Sequence, residues 1–121
     1  MRAQPPRIRV EHMTGARSRL VMPIGDGNRD ASGGHHEGAV LALLDTAGAM
    51  ASWAETGPGP FKASTPALQA QILRPAPDAD LVAYGRLAAR DGDAFWADVE
   101  IADTASARAV ARGTVLYRIV Q

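Results

Sequence analysis

A single carboxylate stands out because of its position in a helical pattern. From Glu37 to about Ala54, apolar residues recur at helical spacing and predict one long helix. At about 100° per residue, Asp45 lies roughly 160° from the centre of the apolar stripe and points at whatever covers the opposite face. On a covered face a carboxylate is costly unless it is paired, hydrogen-bonded or used as a base or nucleophile, whereas on an exposed face it is an ordinary solvated residue. The pattern leaves both interpretations open. The stripe consists of Val40, Leu43, Leu44, Ala47, Met50, Ala51 and Ala54.

The second feature is the stretch 33–38, GGHHEG, at the predicted start of this helix. Glycines let a ligand approach the backbone, and the free N–H groups of a first helical turn form a preorganised site for an anion or oxyanion. Asp45 follows His36 by nine residues, which is about 13 Å along a helix. A site that uses both is therefore built most easily from two helices of two subunits. The alternative is that the two glycines belong to an ordinary loop before a helix, and that the two histidines and Glu37 act only as polar capping residues.

Metal and cofactor chemistry receives little support from the sequence. Five residues of types that can bind a metal ion lie in one loop, but they lack helical spacing and the chain has no cysteine. They are Asp26, Asp30, His35, His36 and Glu37. The chain also lacks a G-x-S-x-G elbow, a Walker loop and a G-x-G-x-x-G after a strand. We therefore predict no metal site and no cofactor.

The remaining elements are predicted from alternation and turn signals. Residues 7–13 and 17–22 alternate apolar and polar side chains around Thr14-Gly15, which predicts a β-hairpin. After the helix, segments around 68–72, 81–87, 95–101 and 109–119 alternate again, and Asp91-Gly92 is a hairpin signal. Because the connections are too short for parallel crossovers, we expect these four segments to form an antiparallel meander. The predicted fold class is α+β, with one long helix lying across a curved antiparallel sheet.

Length and composition limit the classes of function. A chain of 121 residues has the size of a single domain, 1–121. Its 13 Lys and Arg balance its 13 Asp and Glu, which argues against a nucleic-acid partner or a basic membrane-surface protein. No apolar run has the length of a membrane span, and the absence of cysteine fits a cytoplasmic protein. Large apolar side chains are few, so the chain gains from burying a face against another copy of itself.

Arginines of the predicted sheet form a further pattern, because they alternate with the apolar positions of their strands. One interpretation is an outward basic patch. The favoured interpretation is a solvated sheet face on which Asp98 and Glu100 partner the arginines. The arginines concerned are Arg86, Arg90, Arg108, Arg112 and Arg118.

The motif D-x-x-G-x-x-H-E-G followed by an acid, from Asp30 to Asp45, resembles that of the hotdog-fold acyl-CoA thioesterases of the phenylacetate-degradation type. That family typically carries N-x-x-G-x-x-H-G-G with an acidic residue nine positions after the histidine, and a later strand that ends in a phrase like Arg74-Pro75-Ala76. The resemblance covers the chain from about Arg7 to Val120 and implies a hotdog fold, in which a curved sheet wraps one long helix.

The resemblance also implies roles for matching residues. Asp45 matches the catalytic carboxylate, which acts as nucleophile or as general base toward water, and His36 matches the motif histidine. The backbone N–H of Glu37 or Gly38 matches the oxyanion donor, and Thr65 falls near a hydroxyl that orients the water. Substrate-binding positions are implied at Asp30, Gly34 and Ala49.

The implied activity is hydrolysis of a small aromatic or short- to medium-chain acyl-CoA at sites between the protomers of a homo-oligomer, either dimer or tetramer. Two departures from the motif, Glu37 for glycine and Asp30 for asparagine, place negative charge near the thioester oxygen. They motivate a second hypothesis, a hotdog protein that binds acyl-CoA without hydrolysing it. A hydratase or dehydratase ranks third, since Asp30 and His35 are five apart but Ser32 and Gly33 stand where D-x-N-P-x-H has Asn and Pro.

Overall fold

The computed structural model describes residues 7–25, 34–57, 59 and 61–120. Within these ranges, six antiparallel strands form one sheet in the order β1-β2-β4-β5-β6-β3, and a single helix packs against one face of it. This arrangement confirms the predicted α+β class. The elements are β1 (Arg9–Thr14), β2 (Arg17–Met22), α1 (Glu37–Thr56), β3 (Lys62–Ile72), β4 (Leu81–Asp91), β5 (Ala94–Asp103) and β6 (Ala109–Val120).

Both predicted hairpins are present. The β1–β2 turn places Gly15 at φ 62° and Ala16 at φ 60°, and the β4–β5 turn places Gly92 at φ 59°. Positive φ at the centre of a two-residue turn gives the backbone twist that matches two antiparallel strands. Glycine reaches this region without steric cost, so the turn chemistry explains why the hairpins are readable from sequence.

The predicted four-stranded meander is wrong in one connection. β4, β5 and β6 follow one another as expected, but β3 pairs with β6 at the far edge of the sheet, from Lys62 opposite Val120 to Ile72 opposite Ala111. Residues 73–80 therefore cross the end of the sheet to reach β4. Crossing three strand spacings requires about 14 Å, which an extended segment of this length covers easily. Alternation records which face a residue occupies but not which strand lies beside it.

The helix approaches the sheet closely because small residues line the contact. Ser18 on β2 is 3% exposed, and its Oγ donates to the carbonyl of Ala47 at 2.7 Å. Gly48 packs against the side chain of Val115 on β6, and Gly85 on β4 lies directly under the helix backbone. The fully buried large side chains on either side of this contact are Leu20, Met22, Val40, Leu43, Leu44, Leu81, Phe95, Ile101, Val110, Val115 and Ile119.

Gly85→Ala is expected to lower the free energy of unfolding by about 1–3 kcal/mol, because the added methyl group overpacks this contact. A Cβ at position 85 stands 2.6 Å from the carbonyl oxygen of Ala47, which belongs to the helix backbone and cannot rotate away. Urea denaturation measures the change. Arg86→Ala on the exposed face of the same strand is the control, since an exposed ion pair contributes little. Equal midpoints for the two variants would contradict the packing.

The face of α1 opposite the apolar stripe, which carries Asp45, is covered over only part of its length. Ala49 is 7% exposed and Ser52 is fully buried, but Leu41 in the first half of α1 is 37% exposed and Ala42 beside it is exposed as well. Within the described residues, no helix has the length and apolar character needed to cross a membrane.

Candidate active site

Asp45 lies beside a hydroxyl group of another element. Thr65 Oγ1 on β3 donates to Asp45 Oδ1 at 2.7 Å, and both residues are half-buried. Both are predicted site residues, and they are 20 positions apart in the sequence. This bond fixes the orientation of the carboxylate, while Asp45 Oδ2 has no hydrogen-bond partner among residues 7–25, 34–57, 59 and 61–120.

A β-bulge directs Thr65 toward the helix. Between the pairs Ser64–Arg118 and Ala67–Leu116, the two β3 residues Thr65 and Pro66 oppose the single residue Tyr117. Proline has no N–H to give to a strand ladder, so it is tolerated at a bulge on an edge strand. The dipeptide Thr65-Pro66 therefore interrupts the regular alternation of β3 at the point where the Thr65 side chain reaches Asp45. The bulge is not among the features predicted from the sequence.

The helix begins at an N-cap formed by His36. Its backbone is extended, with φ −72° and ψ 155°, and its Nδ1 accepts from the Ala39 N–H at 3.0 Å. This is the capping role that the sequence left open. In the described part of the chain, the N–H groups of Glu37 and Gly38 have no acceptor, and both residues are exposed. Two amides at the positive end of the helix are thus available to an anion or oxyanion.

The segment before the helix is held against the β3–β4 connection. His35 is 2% exposed, and its Nε2 donates to the Ala79 carbonyl at 2.6 Å. Gly34 is buried with its backbone against the Ala76 carbonyl, where any side chain would collide. Gly34 was predicted to contact substrate, and the structure gives it this packing contact. His35 was considered as a metal ligand, as a capping residue and as part of a hydratase motif, whereas a buried histidine that fixes a loop has no signal in the sequence.

Asp103 anchors the other side of the same connection. Its carboxylate accepts from the Ser106 hydroxyl at 2.6 Å and from the Ser106 backbone N–H at 2.6 Å, and it pairs with the Arg74 guanidinium. The Ser106 hydrogen bonds, followed by the Arg74 contact, lower the pKa of Asp103 from 3.8 to about 2. Arg74 also donates to the Ala109 carbonyl at 3.0 Å, which ties the connection to β6.

The lowered pKa of Asp103 determines the direction in which its contribution to stability changes with pH. A carboxyl whose pKa is lower in the folded state stabilises the protein above its unfolded pKa, and this contribution disappears as the pH falls through the folded pKa. The difference in unfolding free energy between wild type and Asp103→Asn is therefore expected to be largest above pH 4 and to shrink toward pH 2. Thermal unfolding at a series of pH values measures it. A difference that stays constant across this window would contradict the assigned shift.

The remaining predicted site residues are Ala49, Asp30 and Gly38. Ala49 lies one helical turn after Asp45 and is 7% exposed. Asp30 falls outside the described residues, as does Asp26 from the loop considered for metal binding; within the described residues, no three His, Asp or Glu side chains are grouped as metal ligands. The amide of Gly38 is seven residues from Asp45, about 10 Å along the axis of the same helix.

The chain is similar to known proteins in its structure. No family model matches the sequence, and no curated protein matches it. Among solved structures, a conserved protein of Pseudomonas aeruginosa superposes with a TM-score of 0.84 at 16% identity, covering 93% of this chain and 88% of its own. The chain has the hotdog fold.

Two further structures with this hotdog fold carry more informative descriptions. The E. coli PaaI protein from the phenylacetic acid degradation operon superposes with a TM-score of 0.81 at 20% identity, covering 94% of this chain and 80% of its own. A thioesterase family protein from Silicibacter pomeroyi gives a TM-score of 0.84 at 19% identity, covering 93% of this chain and 84% of its own. The fold implied by the sequence motif is confirmed.

Proposed function

We propose that this hotdog protein is an acyl-CoA thioesterase in which Asp45 drives hydrolysis. The observation that carries the proposal is the 2.7 Å hydrogen bond from Thr65 to Asp45, which presents one oriented carboxylate at the surface of the central helix. The structural likeness to proteins described as thioesterases supports the same reaction class. A hotdog fold alone would not select a reaction, because function resides in the site.

The reaction requires a group that activates water or attacks the carbonyl, and a site for the resulting oxyanion. With Oδ1 held by Thr65, the free Oδ2 of Asp45 takes a proton from the attacking water, or itself attacks the thioester carbon. The amides of Glu37 and Gly38 stabilise the oxyanion. Collapse of the tetrahedral intermediate breaks the C–S bond, and CoA leaves as a thiolate that takes up a proton. When water is the attacking group, this collapse gives the free acid directly. When Asp45 attacks, it gives a mixed anhydride with the Asp45 carboxylate, which a water molecule then hydrolyses to the free acid and the original carboxylate.

The active site is proposed to form between two copies of the chain. Amides and carboxylate of one helix are about 10 Å apart, too far to act on one carbonyl. β3 is an edge strand whose residue Leu68 is 38% exposed, and Leu41 on the helix is 37% exposed. Exposed edges and apolar side chains of this kind are normally covered. A homodimer that covers them brings the Asp45 of one protomer toward the helix start of its partner.

A small aromatic or short- to medium-chain acyl group is the proposed substrate. Ala49, one helical turn beyond Asp45, is a buried residue with only a methyl side chain. Farther along, Trp53 stacks on Phe61 with ring centroids 6.1 Å apart, and its Nε1 donates to the Tyr117 hydroxyl at 3.0 Å. Trp53 is eight residues, or about 12 Å, from Asp45, so this aromatic group limits the length of an acyl chain that runs along the helix.

A second candidate function is acyl-CoA binding without hydrolysis. Its support is Glu37, whose exposed carboxylate belongs to the same first helical turn as the two free amides. Negative charge there opposes the charge that develops on the thioester oxygen. Measuring thiol release and CoA-ester binding on the same preparation separates the two candidates, because saturable binding without thiol release across aromatic and aliphatic esters selects the second.

Thr65→Ala is expected to lower kcat for thiol release by about tenfold or more, because the carboxylate loses the bond that orients it. Thr65→Ser keeps a hydroxyl at the same position and is expected to retain most activity. Ser64→Ala changes the exposed neighbouring residue and serves as the matched control. A Thr65→Ala variant as active as the Ser64→Ala control would show that the hydrogen bond has no part in the chemistry.

A further inference from the structure

The face of the sheet that points away from the helix contains a cavity of about 800 Å³. We call it the outer-sheet cavity. Its lining includes no residue of α1, so it lies apart from Asp45 and Thr65. A volume of this size is in the range of small-molecule sites. Two rows of directly opposed residues cross the sheet here, and most of their side chains are polar or charged.

Two arginines of this cavity stand directly opposite each other. Arg17 on β2 pairs in register with Arg86 on β4, and Arg19 follows on the same face of β2. Opposed residues of neighbouring strands have their Cβ atoms about 5 Å apart, and like charges in that position destabilise a sheet. A bound anion removes this repulsion, and a guanidinium pair is well suited to phosphate oxygens.

Nearby acidic side chains neutralise only a small part of the positive charge of Arg17 and Arg86. Arg86 contacts Asp98 at 3.5 Å, but both side chains are exposed, at 66% and 43%. Arg19 contacts Glu11 at 3.3 Å. Arg17 has no acidic partner within the part of the chain that the structure describes. Exposed ion pairs contribute little, so these contacts do not compete strongly with an anion.

Carboxylates on β5 restrict where the anion can lie. Asp98 and Glu100 both line the cavity, one strand beyond Arg86, and Arg112 on β6 is opposite Glu100. A phosphate is repelled from β5 and is therefore confined to the side formed by β2 and β4. The carboxylates can instead accept from hydroxyl or amino groups of the same ligand.

The remainder of the cavity offers a surface for a planar group. Tyr84 is 47% exposed, lines the cavity, and has the Arg19 guanidinium 5.6 Å from its ring centroid. Gly85 and Gly113 line the cavity through their backbone atoms only, because both positions belong to the row of residues that faces the helix. An aromatic face next to a cationic pair is an arrangement that binds a base and its phosphate together.

We propose that the outer-sheet cavity binds a nucleotide, with Arg17 and Arg86 holding its phosphate and Tyr84 in contact with its base. The ligand chemistry, an adenine ring with phosphates, is shared by free nucleotides and by the nucleotide portion of a CoA molecule. This site is separate from the proposed thioesterase site and does not depend on the proposed reaction.

Isothermal titration calorimetry tests the proposal with three probes: ADP, adenosine 3′,5′-bisphosphate and pyrophosphate. Arg17→Gln and Arg86→Gln are each expected to weaken binding of the adenine nucleotides by about tenfold, the value of a charge-assisted contact. Arg118→Gln, on the exposed outer face of β6 but outside the cavity, is the matched control and is expected to bind as wild type. Tyr84→Ala is expected to weaken the nucleotides but not pyrophosphate. Preference between ADP and the bisphosphate distinguishes a free nucleotide from CoA.

Two results would overturn the assignment. One is the absence of nucleotide binding at millimolar concentration and low salt. If the same two variants also dissociate an oligomer, measured by size-exclusion chromatography with light scattering, this absence would mean that a second copy of the chain covers the cavity. The other result is binding that Arg17→Gln and Arg86→Gln leave unchanged, which would locate the nucleotide elsewhere.

Discussion

Thiol release from acyl-CoA esters is expected to fall by about 10³-fold in Asp45→Asn, with the fold and the oligomer unchanged. Asparagine has nearly the same volume, and its amide oxygen can still accept from Thr65 Oγ1. It cannot take a proton from water or attack a carbonyl as a carboxylate does. Measuring kcat with a thiol reagent, beside light scattering and circular dichroism, separates lost chemistry from lost structure.

Asp91→Asn is the matched control for this substitution. It makes the same chemical change at the exposed last residue of β4, directly before the turn that begins at Gly92. Wild-type turnover is expected. If Asp45→Asn also retained wild-type turnover, the carboxylate would have no role in hydrolysis, and the proposed mechanism would have to be abandoned.

Two inactive variants are expected to recover about a quarter of wild-type turnover when they are co-refolded in equal amounts. The partner for Asp45→Asn is Glu37→Pro, which removes one N–H from the helix start. Proline is tolerated at the first helical position, and His36, with φ −72° and ψ 155°, already has the conformation favoured before proline. Half of the dimers are mixed, and one of the two sites in each mixed dimer has both an intact carboxylate and intact amides.

Glu37→Gln controls for the loss of charge, because it keeps the amide N–H and removes only the carboxylate. It is expected to be at least as active as wild type, since the opposing charge near the oxyanion is gone. Mixed dimers that form but recover no activity would mean that each site takes its carboxylate and amides from one chain. If Glu37→Pro alone stays active, Gly38 provides the oxyanion donor, and Gly38→Pro replaces it in the mixture.

Local features of the fold were predictable because their causes are local. Gly15 and Gly92 supply the positive φ of two turns, and the apolar period of α1 sets its length within two residues at its C-terminal end. The pairing of β3 with β6 was not predictable, since it depends on the path of residues 73–80 across the sheet. That path is held by Arg74 and Asp103, whose contact joins residues far apart in sequence.

The candidate site was predictable only in part. The motif and its spacing pointed to Asp45, and the family resemblance pointed to Thr65, which the structure places in direct contact. The bulge that brings Thr65 to the helix had one sequence signal, a proline directly after it in a strand, and that signal was not used. The support of the helix start by His35 depends on burial, which no residue pattern near it records.

Pro66 also bears on how the sheet edge is used in the proposed dimer. Since a proline offers no N–H to any neighbouring strand, a partner chain cannot form an unbroken ladder along the whole of β3. A bulge and a proline are features that limit indiscriminate pairing along a sheet edge, so the kink that orients Thr65 also makes this edge a poorer template for open-ended assembly.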